Sequence, residues 1–396
     1  MIGSGWTDPN ERPRTALARP RNGRPRIAVV TGTRAEFGLL RPVMEAVRDR
    51  GDAELLVIAA GAHLIQPATT FHEVKRHFDV ADSIPMQVAG RVGRIEDVEA
   101  LGKGIGRFGR SFSRLGVDWV VVLGDRIEAF AAASAAAVGG FALAHIHGGD
   151  RAEGVADEAM RHAITKLANL HFPATPQAAE RIVRMGERPE RVHAVGSPAI
   201  DGLRGLGPLD DAAFEELGRP ECVFLMHPIG GSDEQEEHAA AAALEAVAGL
   251  RVLALHPNHD PGRTGVLRAI ENAARPGLVV REHLPREAFA ALLLRVAGEG
   301  GFLIGNSSAG MIEAGALRCP AVDVGPRQSA REHGTNVVRT PGGDAGAIAA
   351  AIAGARRLDR SGITHPFGDG RAGERIAEIL ASTPPHRGMT RKLNAY

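Results

Sequence analysis

Three polar runs, GDR at 124–126, HIHGGD at 145–150 and DEAMRH at 157–162, bring carboxylates, imidazoles and guanidinium groups into one stretch of chain. The first follows an apolar run, 118–123, and the second begins inside another, 141–146, which runs into His147-Gly148-Gly149-Asp150. Asp157 and Glu158 open a helical segment, with Arg161 and His162 one turn later. Carboxylates gathered in this way suit proton transfer, and an arginine among them can orient a carboxylate or meet an anion. The pattern points to Asp125, His147, Asp150, Asp157, Glu158 and Arg161 as one polar site.

A second set of runs suits phosphate and ribose. TGTRAEFG (31–38) follows an apolar run and opens a helix, whose free N–H groups favour an anion, and Arg34 adds a two-pronged donor. It contains neither G-x-G-x-x-G nor the Gly-Lys-Ser/Thr of a P-loop. GNSSAGMIEAGA (305–316) follows another apolar run. There Gly305 permits a tight turn, Ser307 or Ser308 can cap a helix, and Glu313 can accept from ribose hydroxyls. His227, in LMHP, can donate to a phosphate oxygen or protonate a leaving group, and HPNHDPG (256–262) has a similar place. Arg327, Arg331 and Glu332 follow the run 321–325, which reads as the last apolar strand. Each also has a plain reading: an exposed loop arginine, a capped helix, a structural histidine, a solvated charge cluster.

These groups need rigid elements to aim them. Apolar runs at 26–31, 54–60, 118–123, 141–146 and 170–175 alternate with amphipathic segments such as 36–50. A second series lies at 222–228, 252–258, 278–283, 301–308 and 321–325. This predicts α/β architecture with parallel strands buried on both faces. Residues 61–110 read as a mixture of loop, helix and a short strand. The Gly/Pro punctuation of 202–220 marks a hinge. In an open α/β sheet, ligands bind beyond the carboxyl ends of the strands, so two such domains would face each other across a crevice. The expected division is an Arg/Pro-rich disordered extension (1–24), Rossmann-like domains at 25–203 and 204–368, a helix packing back on the first domain (369–383) and a tail (384–396).

The chain has 396 residues and no net charge, with 47 basic and 47 acidic side chains, so no nucleic-acid or membrane partner is expected. Its two cysteines, Cys222 and Cys319, abut apolar runs and read as buried hydrophobes. No apolar run approaches the ~20 residues of a membrane span, and the leader lacks the hydrophobic core of a signal peptide. The expected location is cytoplasmic. His145 and His147 alternate on one strand and could hold zinc with neighbouring carboxylates. His-x-His alone is a weak signal, so neither metal nor other cofactor is expected.

Taken together, TGTRAEFGLLRPVM (31–44), GDRIEAFAAA (124–133), HIHGGD, DEAMRHAITKLANLHF (157–172), GNSSAGMIEAG (305–315) and RQSARE (327–332) resemble the hydrolysing UDP-N-acetylglucosamine 2-epimerases, especially the sialic-acid-pathway branch. The runs span roughly 26 to 382. The resemblance implies a GT-B arrangement of two Rossmann-like domains. It also implies a reaction that removes the sugar C2 proton, expels UDP from C1 and adds water, releasing N-acetylmannosamine. By motif position, Asp125 and Asp157 match catalytic acids, Glu158 lies beside them, and Arg161 orients the cluster. His147 stands where other branches carry glutamate. Asp150 stands where glutamate is the expected residue, and a carboxylate shorter by one methylene can alter rate or substrate. A 2,4-diacetamido-trideoxy sugar, as in legionaminic-acid pathways, is therefore an alternative. The expected catalytic set is Asp125, His147, Asp150, Asp157, Glu158, Arg161 and His227. The expected nucleotide set is Arg34, Asn258, His283, Gly305, Asn306, Ser307, Ser308, Gly310, Glu313, Arg327 and Arg331. The partner is a UDP-sugar, and a homodimer or homotetramer is expected. A GT-B glycosyltransferase and a non-catalytic nucleotide-sugar sensor are the rival readings; the density of carboxylates favours proton chemistry.

Overall fold

The structure is a computed structural model that describes residues 23–66, 70–91, 93–151, 157–258 and 260–395, leaving aside the side chains of Asp157 and Arg387. The extension 1–22 lies outside the described residues.

Two parallel six-stranded sheets organise the chain. Sheet one contains β1 (Arg26–Thr31), β2 (Glu54–Ala60), β3 (Val80–Ile84), β4 (Trp119–Leu123), β5 (Ala142–Ile146) and β6 (Leu170–Phe172). Sheet two contains β7 (Cys222–Leu225), β8 (Val252–Leu255), β9 (Leu278–Arg281), β10 (Phe302–Gly305), β11 (Ala321–Val324) and β12 (Val337–Thr340). Their orders, β3-β2-β1-β4-β5-β6 and β12-β11-β10-β7-β8-β9, are the same Rossmann topology. In each, the strand order reverses beside the first strand, where β1 pairs with β4 and β7 with β10. Those switch points open the crevices used by ligands in such sheets.

Burial explains the strands. Every residue of β4 and β5 is buried, because helices cover both faces. The Arg34–Arg50 helix starts at a capping box, Thr33 with Glu36, and ends at left-handed Gly51 (φ 74°). Its stripe of Phe37, Leu40, Val43, Met44 and Val47 packs under sheet one. The Ala372–Ser382 helix crosses that helix, and a Cβ at Gly373 would sit 2.8 Å from the Pro42 carbonyl. Asp201 accepts from the N–H groups of Ala372 (3.0 Å) and Gly373 (2.6 Å), tying the inter-sheet connection to the start of this helix.

Several strands stop earlier than their apolar runs. β6 ends at Phe172, since Pro173 lacks an N–H and Thr175 turns to cap the Pro176–Arg184 helix. The run 321–325 is not the last strand: β12 follows it and forms the sheet edge. Its alternation is weak, with Arg339 exposed and only Thr340 buried. The 202–220 connection contains a short helix, Asp211–Glu216, capped by Asp210.

Candidate active site

The first half of the site is built at the ends of β4 and β5. Gly124 turns left-handed (φ 73°) after β4 and leads into Asp125. From the Asp157–Leu167 helix, Arg161 Nη2 donates to Asp125 Oδ2. Arg161 is only 5% exposed, and its Nε and Nη1 are buried without a protein acceptor. Burial, reinforced by the nearby Arg331 cation, pulls this guanidinium down to about 9. It is still charged at neutral pH, and two crowded guanidinium groups favour an anion between them.

His147 sits just past β5 at φ 61°, a left-handed conformation unusual for a residue with a Cβ. Gly149 follows at φ 76°, where a Cβ would lie 2.4 Å from the Ala178 carbonyl. The turn brings Asp150 Oδ2 to 2.9 Å from His147 Nδ1, while His147 Nε2 lies 2.9 Å from Ser197 Oγ. Ser197 Oγ also accepts from Ala199 N (3.1 Å). An arrangement in which the serine donates to Nε2 leaves Nδ1–H to donate to Asp150. Burial pushes the Asp150 carboxyl up, but the adjacent, hydrogen-bonded His147, then Arg331 and Arg181, hold it below the usual carboxylate range.

His145 does different work. Its Nε2 is 2.8 Å from the Gly124 carbonyl and its Nδ1 is 3.1 Å from Thr165 Oγ1. Burial drives it down to about 3, so the ring is neutral and ties the end of β4 to the Asp157–Leu167 helix. Both nitrogens are engaged within the fold. Among the described residues no group of three His, Cys, Asp or Glu side chains is placed to hold a metal ion. Glu158 lies 3.4 Å from His162 and 4.0 Å from Arg151. The Asp157 side chain lies outside the described residues.

The second half forms at the ends of β7 and β10. Gly305 has φ 142°, and a Cβ there would meet the Leu225 carbonyl at 1.9 Å, so only glycine lets the two strands approach. Asn306 then accepts from His227 N and donates to His227 O, both at 2.7 Å, locking the two strand ends together. Asn258 N donates to His227 Nδ1 (3.1 Å), leaving Nε2–H as the imidazole's available donor. Burial, then Arg327, holds His227 at about 3. A ring kept neutral can donate to a phosphate oxygen. Neutrality favours the first of the two roles expected for it, donation to phosphate, over protonation of a leaving group.

Ser307 Oγ accepts from Ala309 N (3.3 Å) and caps the segment that Ser308 begins. The expected single helix is broken at Ile312 into Ser308–Met311 and Glu313–Ala316, which re-aims Glu313. Burial raises the Glu313 carboxyl, opposed by Arg286, His147 and Arg331. Glu313 therefore shares its surroundings with a histidine of the first domain. Gly310 has room, its nearest virtual contacts being 3.5 and 3.6 Å, and its carbonyl accepts from Asn336 Nδ2 (3.0 Å).

Further residues, among them Arg286 and Arg339, which no motif marked, hold the halves in register. Arg286 reaches from the second domain to the carbonyls of Gly38 (3.0 Å), Ala199 (2.5 Å) and Pro198 (3.3 Å). Glu332 accepts from Thr175 Oγ1 and from Arg181 Nη2 (3.0 Å) across the same joint. Beneath the 327–332 loop, Arg339 of β12 donates to the carbonyls of Gln328 and Ser329 at 2.8 Å and Arg331 at 2.9 Å. Gln328 and Arg327 in turn donate to the Asn306 carbonyl, at 2.9 and 3.3 Å. Arg339 carried no usable signal, since an arginine on a short edge strand reads as a solvated charge. Arg34 opens the Arg34–Arg50 helix of the first domain. It pairs with Glu73 at 3.4 Å, and its charge, after burial, helps hold His283 of the second domain near 4.

Known proteins share this organisation. Residues 45–381 match the UDP-N-acetylglucosamine 2-epimerase family. The chain is 31% identical over 381 residues to the UDP-N,N'-diacetylbacillosamine 2-epimerase (hydrolyzing) of Legionella pneumophila, covering 94% of this chain and 99% of that one. It is also 31% identical to the UDP-N-acetylglucosamine 2-epimerase of Neisseria meningitidis, over 80% of this chain and 83% of that one. Among solved structures, the UDP-GlcNAc 2-epimerase of Methanocaldococcus jannaschii, in complex with UDP-GlcNAc and UDP, superposes with a TM-score of 0.73 at 17% identity. That alignment covers 90% of this chain and 99% of the other, and it shows the GT-B-like pairing of two Rossmann-like domains. With fold, motif order and sequence in agreement, the chain belongs to the UDP-N-acetylglucosamine 2-epimerase family.

Proposed function

We propose that the protein is a hydrolysing nucleotide-sugar 2-epimerase acting on a UDP-2-acetamido sugar. The observation that carries the reading is the buried Asp125–Arg161 pair facing Arg331, with His147–Asp150 and Glu313 beside it. A carboxylate takes the C2 proton as the C1–O bond breaks, and the bonding electron pair leaves with UDP. The resulting C1=C2 glycal then gains hydroxide at C1 and a proton at C2 on the opposite face, so UDP-sugar plus water gives free epimer plus UDP. In this reading Asp125 and Asp157 exchange protons with the sugar, and Glu158 lies beside them. Arg161 and Arg331 meet the departing diphosphate with guanidinium N–H groups that no protein acceptor uses. His227 donates from Nε2. Ser307, Ser308 and the backbone after Gly305 cradle phosphate, and Glu313 meets the ribose. Arg34, Asn258, His283 and Arg327 complete the nucleotide contacts.

Two sugars fit this chemistry. UDP-N-acetylglucosamine is the first. A 2,4-diacetamido sugar is the second, supported by the near full-length Legionella relative and by Asp150 in place of glutamate. Incubating the enzyme with UDP-N-acetylglucosamine and, separately, UDP-N,N'-diacetylbacillosamine in D₂O, followed by proton NMR, tests both. One substrate should yield free 2-epimer with deuterium at C2. Retention of UDP on the epimer would overturn the hydrolysing assignment, and an unchanged spectrum with both would overturn the reading.

A further inference from the structure

The last described residues, 389–395, lie against the far end of the helix that carries Arg161. The Met389 carbonyl accepts from Asn169 Nδ2 (2.9 Å), and Ala395 N donates to the Gly186 carbonyl (2.9 Å). Asn394 Oδ1 accepts from Lys166 Nζ (3.0 Å). Lys392 Nζ donates to the carbonyls of Thr165 (3.1 Å) and Ala168 (2.6 Å), in and just beyond the last turn of the Asp157–Leu167 helix. A cation there adds a donor to carbonyls at the helix C-terminus, that of Thr165 also accepting from Ala168 N (3.3 Å), and complements the helix dipole.

The lysine is itself anchored. It lies 2.8 Å from Glu187 Oε2, a carboxylate that is 4% exposed. Burial pushes Glu187 up, but hydrogen bonds from His171, Lys166 and Lys392 bring it to about 2. Thr165 links this anchor to the chemistry, since its Oγ1 donates to the Arg161 carbonyl (3.0 Å) or meets His145 Nδ1 (3.1 Å). His145 in turn grips the carbonyl of Gly124, the residue before Asp125 (2.8 Å). An eleven-residue helix has little stability alone, so its placement rests on such tertiary contacts.

We propose that residues 389–395 form a strap that fixes the Asp157–Leu167 helix, with Lys392 as a positioning residue for the Arg161–Asp125 pair. The proposal rests on the epimerase reading for its kinetic consequence. Lys392 touches no reacting group; it sets where the pair stands.

The test compares the full chain with Lys392→Met, Lys392→Arg and a chain ended after Pro385. UDP release and UDP affinity are measured, together with amide hydrogen exchange across the helix. Lys392→Met and the shortened chain should lose kcat by about 10- to 100-fold, the scale of a small misplacement of catalytic groups. UDP affinity should fall by less than kcat, since Arg161 is one of several groups on the diphosphate, exchange should quicken in residues 157–167 but not in sheet two, and Lys392→Arg should restore kcat and exchange. Unchanged kcat and helix exchange in Lys392→Met would overturn the proposal. So would exchange that quickens equally in both sheets, which marks general destabilisation. If the wild-type chain releases no UDP from any UDP-sugar, the epimerase reading fails, and the exchange data alone decide the strap.

Discussion

Past the end of β5 stands His147 at φ 61°, bonded to an ionised Asp150. β10 ends in Gly305 at φ 142°, followed by the neutral Asn306 and Ser307. The two sheets share a strand order, yet sheet one ends in buried charge and sheet two in amide, hydroxyl and close-packed backbone. Arg331 and Glu313 reach the shared site from a loop and a short helical turn, not from strand ends. Proton transfer needs groups whose charge can be tuned, whereas holding a nucleotide needs shape and donors that do not titrate. On the proposed reading one topology serves both, because the chemistry resides in the turns after its strands.

The division is tested most severely by Asp125→Asn and Asp157→Asn. Each should cut kcat by about 10²–10⁴-fold while UDP affinity, read by calorimetry, changes little. A variant that turns over normally would remove that residue from the proton chemistry. In the second half the expected failure is different. Gly305→Ala forces a Cβ against the Leu225 carbonyl. It should cost on the order of 1–3 kcal/mol of stability and weaken UDP binding, both visible in thermal melts with and without UDP. A variant that melts and binds like the parent would show that the close approach is not needed.

Electrostatic tuning in the first half predicts a pH signature. Burial, with Glu128 nearby, raises the Glu36 carboxyl to about 7 from 4.5. A folded value above the unfolded one means that its contribution is fully present below about 4.5 and is lost as pH rises through about 7. Glu36→Gln can still accept from Gly32 N and Thr33 N, so it should stabilise the fold by on the order of 1–3 kcal/mol at pH 8 and hardly at all at pH 4. Equal shifts in the melts at both pH values would contradict this assignment. The smallest expected effect is that of chelation. On the proposed reading guanidinium and N–H groups meet the diphosphate, so EDTA treatment should leave the rate unchanged; loss with rescue by zinc or magnesium would return attention to His145 and His147.

Much of this was legible in the residues. Strand-length apolar runs ending in Gly124, His147, His227 and Gly305 located the sheets and the turns between them, because a strand buried on both faces writes itself as continuous hydrophobicity. Motif order identified the family. The sequence could not show that His145 is a neutral brace while His147, two residues on, faces a carboxylate, because that depends on the bonds each ring finds after folding. Nor could it reveal Arg286, Arg339 or Lys392. Each donates to backbone carbonyls outside its own element, and a lone basic residue carries no mark of such partners. Residue types and local periodicity determined the elements and the chemistry at their ends. Only the tertiary structure decided which ends meet, how deeply each charge is buried and therefore which groups stay ionised, since desolvation and pairing are properties of the assembled neighbourhood.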